Sequence, residues 1–211
     1  MDSLIGTVPD TWTHAKLVDV CDILAGPSSR RLRIEQRTSA NVPVVAPQDL
    51  RNNRISDDAD VAVPAEQAAR LSRYRIRPGD VVCSRTGGLG RQALVGEWQD
   101  GWVLGTACLR LRPHASLNSQ YLTYYLGHPA VHDWITRNGA ASTIPSLSTE
   151  TLGALPLILP PAEIQVIVAE VVSAIDEKIA IHEEIVKTTA ALRDAVIPLL
   201  LAGSPREIIA N

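Results

Sequence analysis

Arginine is the residue whose type and spacing in this chain suit recognition chemistry. Arg30, Arg31, Arg33 and Arg37 follow the flexible segment Gly26-Pro27-Ser28-Ser29. Arg51 and Arg54 flank Asn52-Asn53 in an expected turn, and Arg85 and Arg91 enclose Thr86-Gly87-Gly88-Leu89-Gly90. A further set, Arg70, Arg73, Arg75 and Arg77, surrounds the end of a short helical pattern. A guanidinium is planar and permanently charged, and its five donors pair bidentately with phosphate or with a guanine edge. Loops that combine arginine with asparagine, serine and backbone amides supply the donors and acceptors that nucleic-acid grooves require. The candidate contact residues are therefore Arg30, Arg31, Arg33, Arg51, Arg54, Arg85, Thr86 and Arg91, with the polar segment NGAAST at 138–143 as a further one. Each also has an ordinary reading. Charge clusters commonly form a solvated face, cations favour a helix C-terminus without any ligand, and a glycine-rich turn serves positive φ. A GC-rich genome would produce the same preference for arginine.

Catalytic constellations do not assemble. An adenine methyltransferase would carry an Asn- or Asp-Pro-Pro-aromatic segment, whereas Pro160-Pro161, the only such pair, follows leucine. The glycines at 87, 88 and 90 lack GxGxxG spacing and the lysine of a phosphate-binding loop. His128 and His132 stand four apart, as two zinc ligands on a helix would, but Pro129 between them spoils that geometry. Cys21, Cys83 and Cys108 are widely spaced, odd in number and without CxxC, and read as reduced core residues. Trp12, Trp98, Trp102 and Trp134 read as core or rim anchors. No catalytic residue, metal or cofactor is expected.

The elements that must hold these residues follow from composition and periodicity. With 211 residues, 45% of them apolar, the chain can bury one core and append one further element. Its net charge of -3 hides an asymmetry: up to Leu159 there are 16 basic and 15 acidic residues, and beyond it 4 and 8. In the first part every basic residue except Lys16 is arginine. Neither an eighteen-residue apolar run nor a signal-peptide pattern occurs, so a soluble cytoplasmic protein without membrane attachment is expected.

Strand-like segments lie at 42–47, 80–85, 92–98 and 102–112, with Gln99-Asp100-Gly101 as an expected hairpin turn. Residues 64–73 read as a helix with Pro64 at its first position. Residues 118–137 read as two short helices broken at Gly127 and Pro129, with Leu117, Tyr121, Leu122 and Tyr125 buried. The fold class is α+β, a mixed β-rich domain with short helices.

A different regime begins after the double proline. From Pro161 to Pro198 a helix of about 37 residues is expected, roughly 55 Å long at 1.5 Å per residue. Ile164, Ile167, Val171, Ala174, Lys178, Ile181, Ile185, Thr188, Leu192 and Ala195 recur in steps of three and four, the spacing of a coiled-coil seam. Val168, Val172, Ile175, Ile179, Val186 and Val196 widen the apolar face. The expected pairing residues are Ile164, Ile167, Val171, Ile175, Ile181, Ile185 and Leu192. The expected division is a recognition domain at 1–159, a dimerisation or spacer helix at 160–203 and a tail at 204–211.

Three segments in order, VPDTWTHAKLVDVCDI from Val8, IRPGDVVCSRTGGLGRQALVG from Ile76, and IPSLSTETLGALPLILPPAEIQ from Ile144, precede the long helix. Together they resemble half of a type I restriction-modification specificity subunit, over about Val8 to Gly203. The resemblance implies a DNA target recognition domain followed by a helix that pairs with another. It also implies a non-catalytic role: directing an adenine methyltransferase subunit, and restriction subunits, to a target on double-stranded DNA. A single repeat implies a homodimer or pairing with a second specificity chain, reading an interrupted palindrome. The family's usual leucine after the double proline is Ala162 here, and Ile164 stands where a glutamate precedes Gln165. A protein-interaction adaptor, in which the long helix serves assembly and the first domain recognises another protein, is the competing reading, kept open by the nearly neutral charge of that domain.

Overall fold

The computed structural model describes residues 1–140 and 145–202. The expected tail, and residues 141–143 of the polar segment, lie outside the described residues. Contacts divide the chain into two units, Met1–Ala169 and a second that begins at Glu170. The helices are α1 (Leu17–Val20), α2 (Ala65–Arg70), α3 (Ser119–Leu126), α4 (Pro129–Asn138), α5 (Thr149–Gly153) and α6 (Ala162–Leu201).

The first unit is built on a six-stranded mixed sheet. Its strands run in the order Cys21–Ala25, Cys108–Pro113, Val81–Ser84, Gln92–Leu94, Asn53–Ile55 and Leu50–Arg51. The pairing of Gln92–Leu94 with Asn53–Ile55 is parallel and the others are antiparallel. Side chains alternate between the faces of a strand, and both faces of this sheet are covered. Val81, Cys83, Leu109 and Leu111 join one cluster with Tyr121, Leu122, Tyr125 and Leu126 of α3 and Val131 and Ile135 of α4. Val82 and Cys108 face the other way, packing with Val45, Ile76, Ala93, Trp102 and Leu104.

A four-stranded sheet, Val103–Leu104, Val42–Val45, Val61–Val63 and Glu35–Gln36 in spatial order, contributes to that second cluster and to a third around Ala68 and Leu71. The α+β class read from the sequence is the fold observed, and so is the burial of Leu117, Tyr121, Leu122 and Tyr125.

Three local expectations are corrected. Gln99-Asp100-Gly101 does not join a hairpin: Gln92–Leu94 pairs within the six-stranded sheet, while Val103–Leu104 runs parallel to Val44–Val45 in the other. The connection is a 3-10 turn, Glu97–Gln99, whose buried Gln99 side chain accepts from Gly96 N at 3.1 Å and donates to Asp57 Oδ1 at 3.0 Å. Pro64 caps α2 and does not occupy its first turn. Pro198 does not end α6, which runs through it to Leu201; Ala202 N donates to the Pro198 carbonyl at 3.0 Å. Pro198 cannot supply its own i→i−4 bond, and only three helical residues follow it.

The start of α6 is fastened within the first unit by one side chain. Gln165 is 2% exposed; its Oε1 accepts from Asn118 N at 2.8 Å, and its Nε2 donates to the carbonyls of Ser116 at 3.1 Å and Pro160 at 3.0 Å. Asn118 is itself the cap of α3, accepting from Gln120 N and Tyr121 N. The glutamine kept at position 165 thus joins the first turns of two helices. Of its altered neighbours, Ala162 is exposed and Ile164 is half-buried.

Beyond Glu170 the helix leaves its apolar residues uncovered. Val171, Ile175, Ile181, Ile185 and Leu192 are all more than half exposed, as is Ile167 before them. At 40 residues, α6 is about 60 Å long.

Candidate nucleic-acid interface

The arginines foreseen as contacts fall into two neighbouring groups. Arg30 and Arg31 lie on a 3-10 turn, Ser29–Arg31, and with Arg33 they line an open cleft of about 500 Å³ opposite Arg70, Gln67 and Glu66 of α2 and Tyr74. Gln67 fixes this wall by clamping its backbone. Its Oε1 accepts from Arg33 N at 3.0 Å and its Nε2 donates to the Arg31 carbonyl at 3.1 Å. The four guanidiniums face one carboxylate, and Arg73 stacks over Tyr74 at 5.9 Å from the ring centroid. Such a surface favours a polyanion. Arg37, from the same sequence cluster, points elsewhere: its Nη1 donates to the carbonyls of Asp57 and Ala59, and its guanidinium covers Trp102 at 5.0 Å.

The second group surrounds the glycine-rich turn between Val81–Ser84 and Gln92–Leu94. Ser84, 1% exposed, ties the turn across its base. Its Oγ donates to the Gly88 carbonyl at 2.7 Å and accepts from Arg91 N at 3.2 Å. Gly87, Gly88 and Gly90 all have positive φ. Gly90 also abuts α4, since a Cβ there would lie 2.0 Å from His132 Cδ2. Gly139, the second residue of the polar segment, packs against Leu89 in the same way. Arg85 and Thr86 sit at the ascending end: Arg85 N donates to the Ala107 carbonyl at 2.7 Å, and Thr86 forms a bridge with Ser146.

Arg51 and Arg54 face each other across a tight hairpin whose turn residues, Asn52 and Asn53, both have positive φ. Asparagine accepts that conformation more readily than most residues. Asn53 Oδ1 accepts from Gln92 Nε2 at 3.0 Å, which brings the hairpin beside the exit of the glycine turn.

The two groups meet along a shared border. Ser29, Leu32 and Ile34, bracketing the cleft arginines, line an apolar hollow of about 240 Å³ with Ala46, Pro47 and Gly105–Ala107. The Pro47 carbonyl accepts from Arg91 and the Ala107 carbonyl from Arg85. All eight foreseen residues therefore lie around one set of loops. Gln67 and Tyr74, which stand with Arg70 on the opposite wall of the cleft, carry no such signal in the sequence, because Gln67 meets the arginine segment only through bonds spanning 34 and 36 residues.

His128 caps α4, its Nδ1 accepting from Ala130 N at 3.2 Å. Among the described residues no cluster of His, Cys, Asp and Glu is arranged to hold a metal ion. The three cysteines are free and buried, and burial raises the Cys21 and Cys108 thiols to about 12, with Cys83 also raised. Asp80, 1% exposed, accepts from Arg112 at 2.7 and 2.8 Å, a bidentate pair between two neighbouring strands of the six-stranded sheet. That hydrogen bond is the main cause of the raised Arg112 pKa. No helix among the described residues is long and apolar enough to cross a membrane.

Comparison with known proteins converges on one family. Residues 9–188 match the type I restriction modification DNA specificity domain. The type I restriction enzyme MjaIX specificity subunit of Methanocaldococcus jannaschii is 24% identical over 177 residues, which are 83% of this chain and 40% of that protein. A solved structure described as the basis of complex assembly and conformational transition of the type I R-M system aligns with a TM-score of 0.64 at 22% identity, covering 94% of this chain and 47% of the other. The HsdS subunit from Thermoanaerobacter tengcongensis aligns with a TM-score of 0.62, also at 22% identity, over 83% of this chain and 40% of its own. At such identities the structural likeness speaks for the fold, and this chain spans less than half the length of these relatives. The sequence match over residues 9–188 shows that the chain belongs to the family of type I restriction modification DNA specificity domains.

Proposed function

We propose that this chain reads DNA for a type I restriction-modification assembly, with residues 1–159 as the target recognition domain and 160–203 as the helix that pairs it with a second specificity unit. It carries no catalytic machinery. It directs an adenine methyltransferase subunit, and with it restriction subunits, to a double-stranded target in the cytoplasm. The unit it pairs with is a second copy of this chain or another specificity chain. The observation that carries this reading is the convergence of eight arginine- and threonine-bearing positions on neighbouring loops of a domain from a DNA specificity family. Affinity comes from arginine contacts to phosphate and selectivity from contacts to base edges. Because the domain as a whole is nearly neutral, attraction is local to these loops, and each neutralised phosphate adds about 0.9 to the slope of log affinity against log salt.

The test is affinity selection from a pool of random duplexes by the purified chain, alone and with its methyltransferase subunit, followed by sequencing. Enrichment of an interrupted motif is expected. A pool that emerges unselected in both arms, with the helix still assembling partners, would replace this reading by that of a protein adaptor.

A further inference from the structure

Two arginines of the interface are held differently from the rest. Arg51 Nε donates to the Gln48 carbonyl at 3.1 Å, and Arg91 Nη1 donates to the Pro47 carbonyl at 3.3 Å. Forty residues apart in sequence, they are tethered to adjacent carbonyls of one 3-10 turn, Pro47–Asp49. That turn is rigidly set. Pro47 and Asp49 are buried, the Asp49 carboxylate accepts from Ala46 N at 2.8 Å, and Ser56 N donates to the Asp49 carbonyl at 2.8 Å. The backbone of Arg91 is equally fixed by the buried Ser84 hydroxyl, and that of Arg51 by pairing with Arg54.

Both side chains nevertheless stay exposed. Tethering at Nε leaves the end-on pair of terminal nitrogens on Arg51. Tethering at Nη1 leaves the side-on pair, Nε and Nη2, on Arg91. Each remaining pair is a fork that matches two acceptors on one planar edge. Arg30, Arg31, Arg54 and Arg70, by contrast, make no side-chain hydrogen bond or ion pair among the described residues, and Arg33 has only a 3.5 Å approach to the exposed Glu35.

The difference matters because phosphate and base contacts ask different things of a side chain. A mobile guanidinium finds one phosphate as readily as the next. Discrimination between bases requires a fork that cannot swing to another acceptor when the wrong edge is presented. From this geometry we infer that Arg51 and Arg91 are specificity-determining residues that read guanine O6 and N7 in the major groove, aimed by the Pro47–Asp49 turn, while the cleft of Arg30, Arg31, Arg33 and Arg70 holds backbone phosphate. The inference rests on the DNA-reading function proposed above.

Affinity selection on random duplexes, run with the chain and its methyltransferase subunit, separates the roles. Wild type is compared with Arg51→Lys, Arg91→Lys and the double variant Arg30→Ala/Arg70→Ala, with thermal melts confirming that each is folded. Lysine keeps the charge but not the planar fork. Each lysine variant should lose about tenfold preference for guanine at one or two positions and keep the wild-type salt slope. The cleft variant should keep the motif, bind more weakly and have a salt slope shallower by roughly two. Lysine variants that retain the complete motif, or a cleft variant that alters it, overturn the assignment. If wild type itself enriches no motif, the DNA-reading function fails and takes the assignment with it.

Discussion

The first unit and the helix beyond Glu170 use the same aliphatic residues to opposite ends. In the first, Val81, Val82, Leu104, Leu109, Leu111 and Leu122 are inaccessible to solvent, and the arginines of the interface are outside. In the second, Val171, Ile181, Ile185 and Leu192 are each more than half exposed along a stretch with no sheet of its own to cover. A domain that closes its own core on both faces of a sheet can be stable alone. A helix whose apolar rows repeat at coiled-coil spacing is completed only by another surface. Stability and assembly should therefore be separable by mutation.

The largest expected effect is on assembly. Each isoleucine buried at a partner helix contributes about 1.5–3 kcal/mol, and glutamate there adds the cost of burying a charge. Ile181→Glu/Ile185→Glu should abolish self-association or pairing in light scattering and leave the melting of the first unit in place. An unchanged mass would erase the contrast between the two regions.

The converse variant is Asp80→Ala, which strands Arg112 and removes an acceptor for Arg77 N. The guanidinium left behind is partly exposed, so the loss is about 1–3 kcal/mol, and calorimetry should record a lower melting temperature while the helix still pairs. Gln165→Ala lies between the two regimes. It leaves Asn118 N and the Ser116 and Pro160 carbonyls without their partner, a loss of about 1–3 kcal/mol. Hydrogen exchange should show α3 and the first turn of α6 loosening together.

The smallest effect concerns the thiols. Their folded pKa values are raised, so the folded chain retains protons that the unfolded chain releases above its ordinary value of 9.0. Stability should be unaffected by the cysteines below pH 9 and fall as pH rises from there toward 12. At pH 8 a thiol-reactive dye should label the native protein far more slowly than the unfolded one, and rapid labelling of native protein would mean that the first unit's core opens readily.

Much of this organisation was legible because it is written in local periodicity. The seam from Ile164 to Leu192, the burial of Tyr121 and Tyr125 four apart, and the turn chemistry of Asn52-Asn53 are each set by spacing along one element. The failures share a cause as well. Gln92–Leu94 and Val103–Leu104 look like hairpin partners because they are neighbours in sequence, yet each pairs with strands some forty to sixty residues away. Arg37 looks like a member of the Arg30–Arg33 cluster, but it is drawn inward by two carbonyls and Trp102.

Residue types and spacing along the chain are enough to expect a β-rich domain followed by a long apolar-faced helix, and both are observed. Charge type, motif spacing and helical period are properties of short stretches. Long-range packing alone sets which arginines share a surface, that Gln67 walls the cleft, and that one turn at Pro47–Asp49 holds guanidiniums from two hairpins. Those outcomes depend on hydrogen bonds closing over tens of residues, and a backbone carbonyl that anchors a distant side chain leaves no trace in the type of residue that carries it.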